Sequence, residues 1–133
     1  MPNEPRWLGY QAVLDINRAH VEEAGENHAL LFPEKLESAI IRPQNLFYYE
    51  GVYDIVTLSV SLMFGIAEAH AFEQGNKRTG FTSGLAFLYE NGFDYTAVDD
   101  TKIAIDFKKV ITGGATAGDF EEMFAEFVVP LED

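Results

Sequence analysis

The chain of 133 residues carries 9 Lys+Arg against 22 Asp+Glu, a formal net charge of −13, with 47% hydrophobic residues, 11 Phe and no cysteine. That apolar content excludes a wholly disordered chain, and the missing cysteine excludes disulfides, thiolate zinc sites and a cysteine nucleophile. The acidity argues against nucleic-acid binding and against docking on an anionic membrane.

One domain spanning residues 1–133 is expected at this length. The opening MPNEPRWLGY lacks a basic-then-apolar leader, and the longest nearly apolar run, Ile55 to Ala67, is too short to span a bilayer. A soluble, cytoplasmic domain is the expectation.

The elements follow in chain order. Val13, Ile16, Val21 and Ala24 recur at near-helical spacing from Gly9 to Ala24, and Gly25 suits the stop. Glu26 to Phe32 reads as a loop. Pro33 favours a first helical turn, and the helix it opens, about Pro33 to Ile41, should end before Pro43. Gln44 to Gly51 then reads as a second loop. Asp54 to His70 is apolar around most of its circumference, which predicts a buried central helix.

Ala71 to Gly75 is a turn, and Asn76 to Asn91 a further helix stopped by Gly92. Phe93 to Val98 alternates weakly, as a short extended piece does. Asp99 or Asp100 can cap a helix running to about Thr112, before Gly113-Gly114. Asp119 can cap a last helix with Phe120, Met123, Phe124, Phe127 and Val128 on one face. The expectation is an all-α fold: a compact bundle of about six helices, one of them the buried central helix, with no convincing sheet.

One segment carries the chemistry: His70-Ala71-Phe72-Glu73-Gln74-Gly75-Asn76-Lys77-Arg78, between the central helix and the next. A helix N-terminus presents unpaired N–H groups and a partial positive charge, which suits an anion. Lys77 and Arg78 in that first turn oppose the dipole unless an anion sits there, and a bound polyphosphate meets the need. Gly75 allows close backbone approach. Asn76 can cap the helix while its amide reaches a phosphate oxygen. His70 stands across the turn as a candidate general base for a hydroxyl nucleophile. His20 and His28 have no such neighbours and read as structural.

The same nine residues resemble the signature H-x-F-x-[DE]-[GA]-N-x-R of the Fic/Doc superfamily. The GNKRT spelling, Leu85 to Gly92 and the upstream Leu36 to Pro43 are similar to its Doc (death-on-curing) branch. The resemblance implies an all-helical Fic fold, ATP as donor, Mg²⁺ as helper and a protein hydroxyl as acceptor. It implies His70 as base and Gly75, Asn76, Lys77 and Arg78 as the phosphate cradle. It also implies a toxin of a toxin–antitoxin pair, phosphorylating a target such as a translation factor and neutralised by a small antitoxin with a disordered tail.

Two positions depart from the signature. Gln74 replaces the acidic metal ligand, and an amide oxygen is a poorer Mg²⁺ ligand than a carboxylate. Phe81 stands where AMP-transferring relatives carry a second arginine. Transfer of phosphate is therefore the first reading. Transfer of AMP to a protein is the second, and a degenerate domain that binds nucleotide or a partner without catalysis is the third.

Overall fold

The computed structural model describes residues 3–97 and 101–131. These residues form six helices and two short strands, with five of the helices arranged around a central one. In chain order they are α1 (Tyr10–Glu23), α2 (Pro33–Glu50), α3 (Ile55–Ala69), α4 (Asn76–Glu90), β1 (Phe93–Tyr95), α5 (Thr101–Ile111), α6 (Ala117–Ala125) and β2 (Val128–Pro130).

The central helix forms as its apolar surround requires. Asp54 caps it, its carboxylate accepting from Val56 N–H at 2.8 Å and Thr57 N–H at 3.2 Å. Every residue from Leu58 to Ala67 is buried. One side, Leu58, Leu62 and Ile66, joins Val13, Leu36, Phe47 and Phe87 in a first core. The other, Val60, Met63, Phe64 and Ala67, joins Ile103, Phe107, Phe120 and Phe124 in a second. The aromatic rings of that second core stack or meet edge-on, as with Phe64 and Phe107 at 4.6 Å.

The helix after Pro33 does not end before Pro43. It runs on to Glu50 and closes at Gly51 in the left-handed region, φ 68°. Pro43 itself is buried. Leu36, Ala39, Ile40, Pro43 and Phe47 form one continuous buried stripe, and burying Phe47 and its neighbours outweighs the roughly 3 kcal/mol that an interior proline costs. Residues 44–50 are thus helix rather than loop.

The C-terminal part differs in two ways. Thr116, not Asp119, is the N-cap of α6, and Asp119 occupies the third helical position of a reciprocal capping box. The helix stops at Ala125, so Val128 belongs to a strand pairing antiparallel with Phe93–Tyr95, in register Tyr95 with Val128. A two-stranded sheet therefore accompanies the helices. The expected caps Asp99 and Asp100 lie outside the described residues.

Helices α3 and α4 make the most extensive contact of the fold. They approach through glycine. A Cβ on Gly80 would overlap the carbonyl oxygen of Met63 and come within 3.0 Å of the Ala67 nitrogen, while one on Gly84 would overlap the Met63 side chain. Backbone cannot yield as a thioether can, so Gly80→Ala should destabilise by about 2–3 kcal/mol and Gly84→Ala by about 1 kcal/mol. Urea denaturation of the two variants checks the order.

Candidate active site

The turn between α3 and α4 is built from both sides. Helix α3 ends at His70, whose φ of 51° and ψ of 40° place it in the left-handed region, where no other non-glycine residue among those described is found. That conformation reverses the chain and leaves the imidazole exposed. Ala71 and Phe72 then plunge into the core. The 26–32 loop is laced to them: Leu31 and Phe32 N–H donate to the Ala71 carbonyl at 2.8 and 3.1 Å, and Glu73 N–H donates to the Ala29 carbonyl at 3.0 Å.

Gly75 caps α4 with φ 75°. The first helical bond runs from Thr79 N–H to the Gly75 carbonyl at 2.9 Å, so the N–H groups of Asn76, Lys77 and Arg78 have no partner within the helix. Asn76 does not cap the helix as the sequence suggested. Its side chain turns back on Phe72, accepting from the Phe72 N–H at 3.1 Å and donating to the Phe72 carbonyl at 2.8 Å. It braces the turn with both amide atoms, and the anion-facing groups are the backbone and the two cations.

A buried asparagine on α1 supports the turn from beneath. Asn17 Nδ2 donates to the Gln74 carbonyl at 2.9 Å and to Thr79 Oγ1 at 3.0 Å. Its Oδ1 accepts from His28 Nδ1 at 2.8 Å. A Cβ on Gly75 would come within 3.0 Å of Val21 and 3.3 Å of Asn17, so glycine is required there by conformation and by space. His28 is a strut in this network, 6.0 Å from the Phe72 ring.

The outcome is a pocket of about 350 Å³ lined by His70, Gln74, Gly75, Asn76, Lys77 and Arg78, together with Glu26. All six residues singled out in the sequence face one space. Glu73 is not among its walls. Arg78 is engaged: its Nη2 lies 2.8 Å from Glu26 Oε1. A second pocket, about 380 Å³, adjoins the first at Lys77 and Arg78. Phe81 and Phe107 give it apolar walls, and His20 and Lys108 flank it. His20 shares a 2.7 Å hydrogen bond with Thr82 there.

The fit to a metal is poor. No group of three or more His, Asp or Glu among the described residues could hold a metal ion. Gln74 is exposed, and Asn17 takes its backbone carbonyl rather than its side-chain amide. The pocket offers one amide oxygen at Gln74 and one carboxylate at Glu26, and that carboxylate is paired. A hard divalent cation held this way depends on ligands brought in by the substrate.

The Fic/DOC family profile matches residues 7–88 of the chain. The chain belongs to the Fic/Doc family. Over 87 residues it is 29% identical to "Protein kinase doc" of Escherichia phage P1, covering 65% of this chain and 69% of that protein. Over 72 residues it is 33% identical to "Toxin Doc" of Mycolicibacterium smegmatis, covering 53% and 55%. The chain thus spans a little over half the length of the second relative. Residues 7–88, matched by the family profile, contain the whole turn and both pockets' α4 walls.

Three features of this Fic/Doc site escaped the sequence reading. Asn17 had a signal: it is the polar member of the buried series Val13, Asn17, Val21, spaced one turn apart. Glu26 had none, since 52 residues separate it from Arg78. The second pocket's wall from α5 required the tertiary fold. The Asn17 network yields a prediction. Asn17→Ala leaves the Gln74 carbonyl, the Thr79 hydroxyl and His28 without their partner, so stability should fall by about 2–3 kcal/mol. Denaturant titration measures that loss.

Proposed function

We propose that the chain is a Doc-type toxin that transfers the terminal phosphate of ATP to a hydroxyl of a target protein, such as a translation factor, and is restrained by a small antitoxin. The names of the two relatives support the toxin and kinase reading. The observation that carries the direction of transfer is the position of the second pocket. It joins the first at Lys77 and Arg78 and has no wall from His70. A nucleoside resting against the wall that Phe81 and Phe107 form runs its phosphates past the two cations and the helix N-terminus, so the terminal phosphate faces His70.

The acceptor oxygen bonds to the γ-phosphorus as its proton passes to the His70 imidazole. The bond from that phosphorus to the β–γ bridging oxygen breaks, and ADP leaves. Lys77, Arg78 and the N–H groups at the start of α4 meet the charge on the phosphates. Phe81 belongs to the opposite reading's weakness: its ring packs 5.6 Å from Phe107 and 5.8 Å from Tyr95, so no second arginine supports a nucleotide held with its α-phosphate at His70. If Mg²⁺ were required, the phosphates would supply most of its ligands, the Gln74 amide oxygen could add one, and the ion would contribute charge neutralisation.

Incubation with γ-labelled and with α-labelled ATP in a cell lysate tests the proposal. Label from γ alone is the expected outcome; label from α alone identifies an AMP transferase, and label from neither identifies a binding domain. His70→Ala should lower transfer by about 10²–10⁴-fold with the fold retained, as loss of a general base does; rates with the wild-type and variant proteins, beside their circular dichroism, measure it. Gln74→Asp should tighten MgATP binding, because a carboxylate adds a full charge beside the cation where the amide adds a dipole. Calorimetric titration with and without Mg²⁺ compares the two proteins, and equal MgATP affinity would rule out a metal contact at this position.

A further inference from the structure

Glu26 is the one acidic side chain in the wall of the proposed phosphate pocket, and it lies 2.8 Å from Arg78, a residue that pocket needs. Its placement is set by the end of α1. Gly25 adopts φ 73°. Gly25 N–H donates to the Glu22 carbonyl at 3.1 Å and Glu26 N–H to the Val21 carbonyl at 2.7 Å, which closes the helix in a Schellman turn. Beyond it, the His28–Asn17 hydrogen bond and the bond from Glu73 N–H to Ala29 hold the loop against the catalytic turn. The carboxylate is therefore delivered to Arg78 by a fixed backbone rather than by a free loop.

Arg78 sits in the first turn of α4, where the helix dipole opposes a cation. A carboxylate at its guanidinium relieves that conflict before any nucleotide arrives. We propose that Glu26 is an internal counter-anion: it occupies Arg78 in the absence of nucleotide, and the incoming phosphates must displace it. The proposal rests on the reading of residues 74–78 as a phosphate cradle. A polyphosphate wins the exchange because it also takes the N–H groups of the helix end and Lys77, which one carboxylate cannot reach at once. Freeing Arg78 costs the attraction of the pair, so the Glu26 charge lowers the affinity of the cradle through that guanidinium. In a chain of net charge −13, this tunes the site towards ligands with several negative charges.

Both partners of the pair are partly exposed, with side-chain accessibilities of 47% and 33%. The effect is correspondingly moderate, an increase of about two- to tenfold in affinity when the charge is removed. The test is a double-mutant cycle on ATP and on inorganic tripolyphosphate, by calorimetry with and without Mg²⁺. Glu26→Gln should bind both probes about two- to tenfold more tightly than wild type, and Arg78→Gln more weakly. The Glu26→Gln/Arg78→Gln protein should bind like Arg78→Gln alone, because the gain acts through the freed guanidinium. A Glu26→Gln protein that binds no more tightly than wild type, while Arg78→Gln still loses affinity, overturns the counter-anion role and leaves the cradle intact. A loss in Glu26→Gln confined to the Mg²⁺ titrations overturns it in favour of Glu26 as a metal ligand. Arg78→Gln binding as well as wild type removes the cradle reading itself, and the counter-anion with it.

Discussion

The candidate base and the candidate phosphate cradle lie on opposite sides of a tight turn, and the approach of α3 to α4 sets the space between them. That approach is limited by what lies in the contact. Gly80 admits the Met63 carbonyl and the backbone at Ala67, and Gly84 admits the Met63 side chain. Closely packed helices allow the chain to reverse within a few residues, and His70 takes the left-handed conformation that this reversal demands. Protein interiors pack too densely to absorb an added methyl group without displacement. The spacing of the site is therefore a consequence of two glycines that touch nothing chemical.

Polar contacts then fix what the glycines make possible. Asn17 bonds to the turn at Gln74, to the start of α4 at Thr79 and to the preceding loop at His28. Asn76 bonds to Phe72 twice across the same turn. A fully satisfied buried network of this kind resists distortion, since each broken bond strands a partner away from water. The loop, the turn and the helix end thus behave as one unit, and the exposed groups His70, Lys77 and Arg78 project from a rigid base.

Charge is distributed with the same economy. The chain has few cations, yet Lys77, Arg78 and Lys108 border one pocket beside His20. Surrounding acidity directs anions away from the rest of the surface, while this patch and the α4 N-terminus draw them in. Glu26 tempers that local field from within the site. The apolar walls given by Phe81 and Phe107 accommodate a ring system rather than a further phosphate. A cationic edge thus adjoins an apolar wall across the two pockets, the arrangement that the proposed nucleotide needs.

Much of this was legible in the residues. The buried central helix followed from an apolar stretch with no polar face, and the chemical segment from residue types whose order has few other uses. Six residues between His70 and Arg78 are near neighbours in the chain, so local geometry was enough to bring them to one pocket. The path of α2 through Pro43 was not legible from the proline, because local cost and tertiary gain compete and only the buried stripe to Phe47 decides the sign. Asn76 turned inward because the Phe72 backbone lay unpaired within reach. The Glu26–Arg78 pair and the pocket wall from α5 depend on contacts between distant parts of the chain, which carry no periodicity or spacing. The sequence by itself determined the helices, their apolar faces and the chemical types at the turn, since these are set by neighbours within a few residues. The tertiary structure alone decided which charge meets which, because that depends on how closely the helices pack.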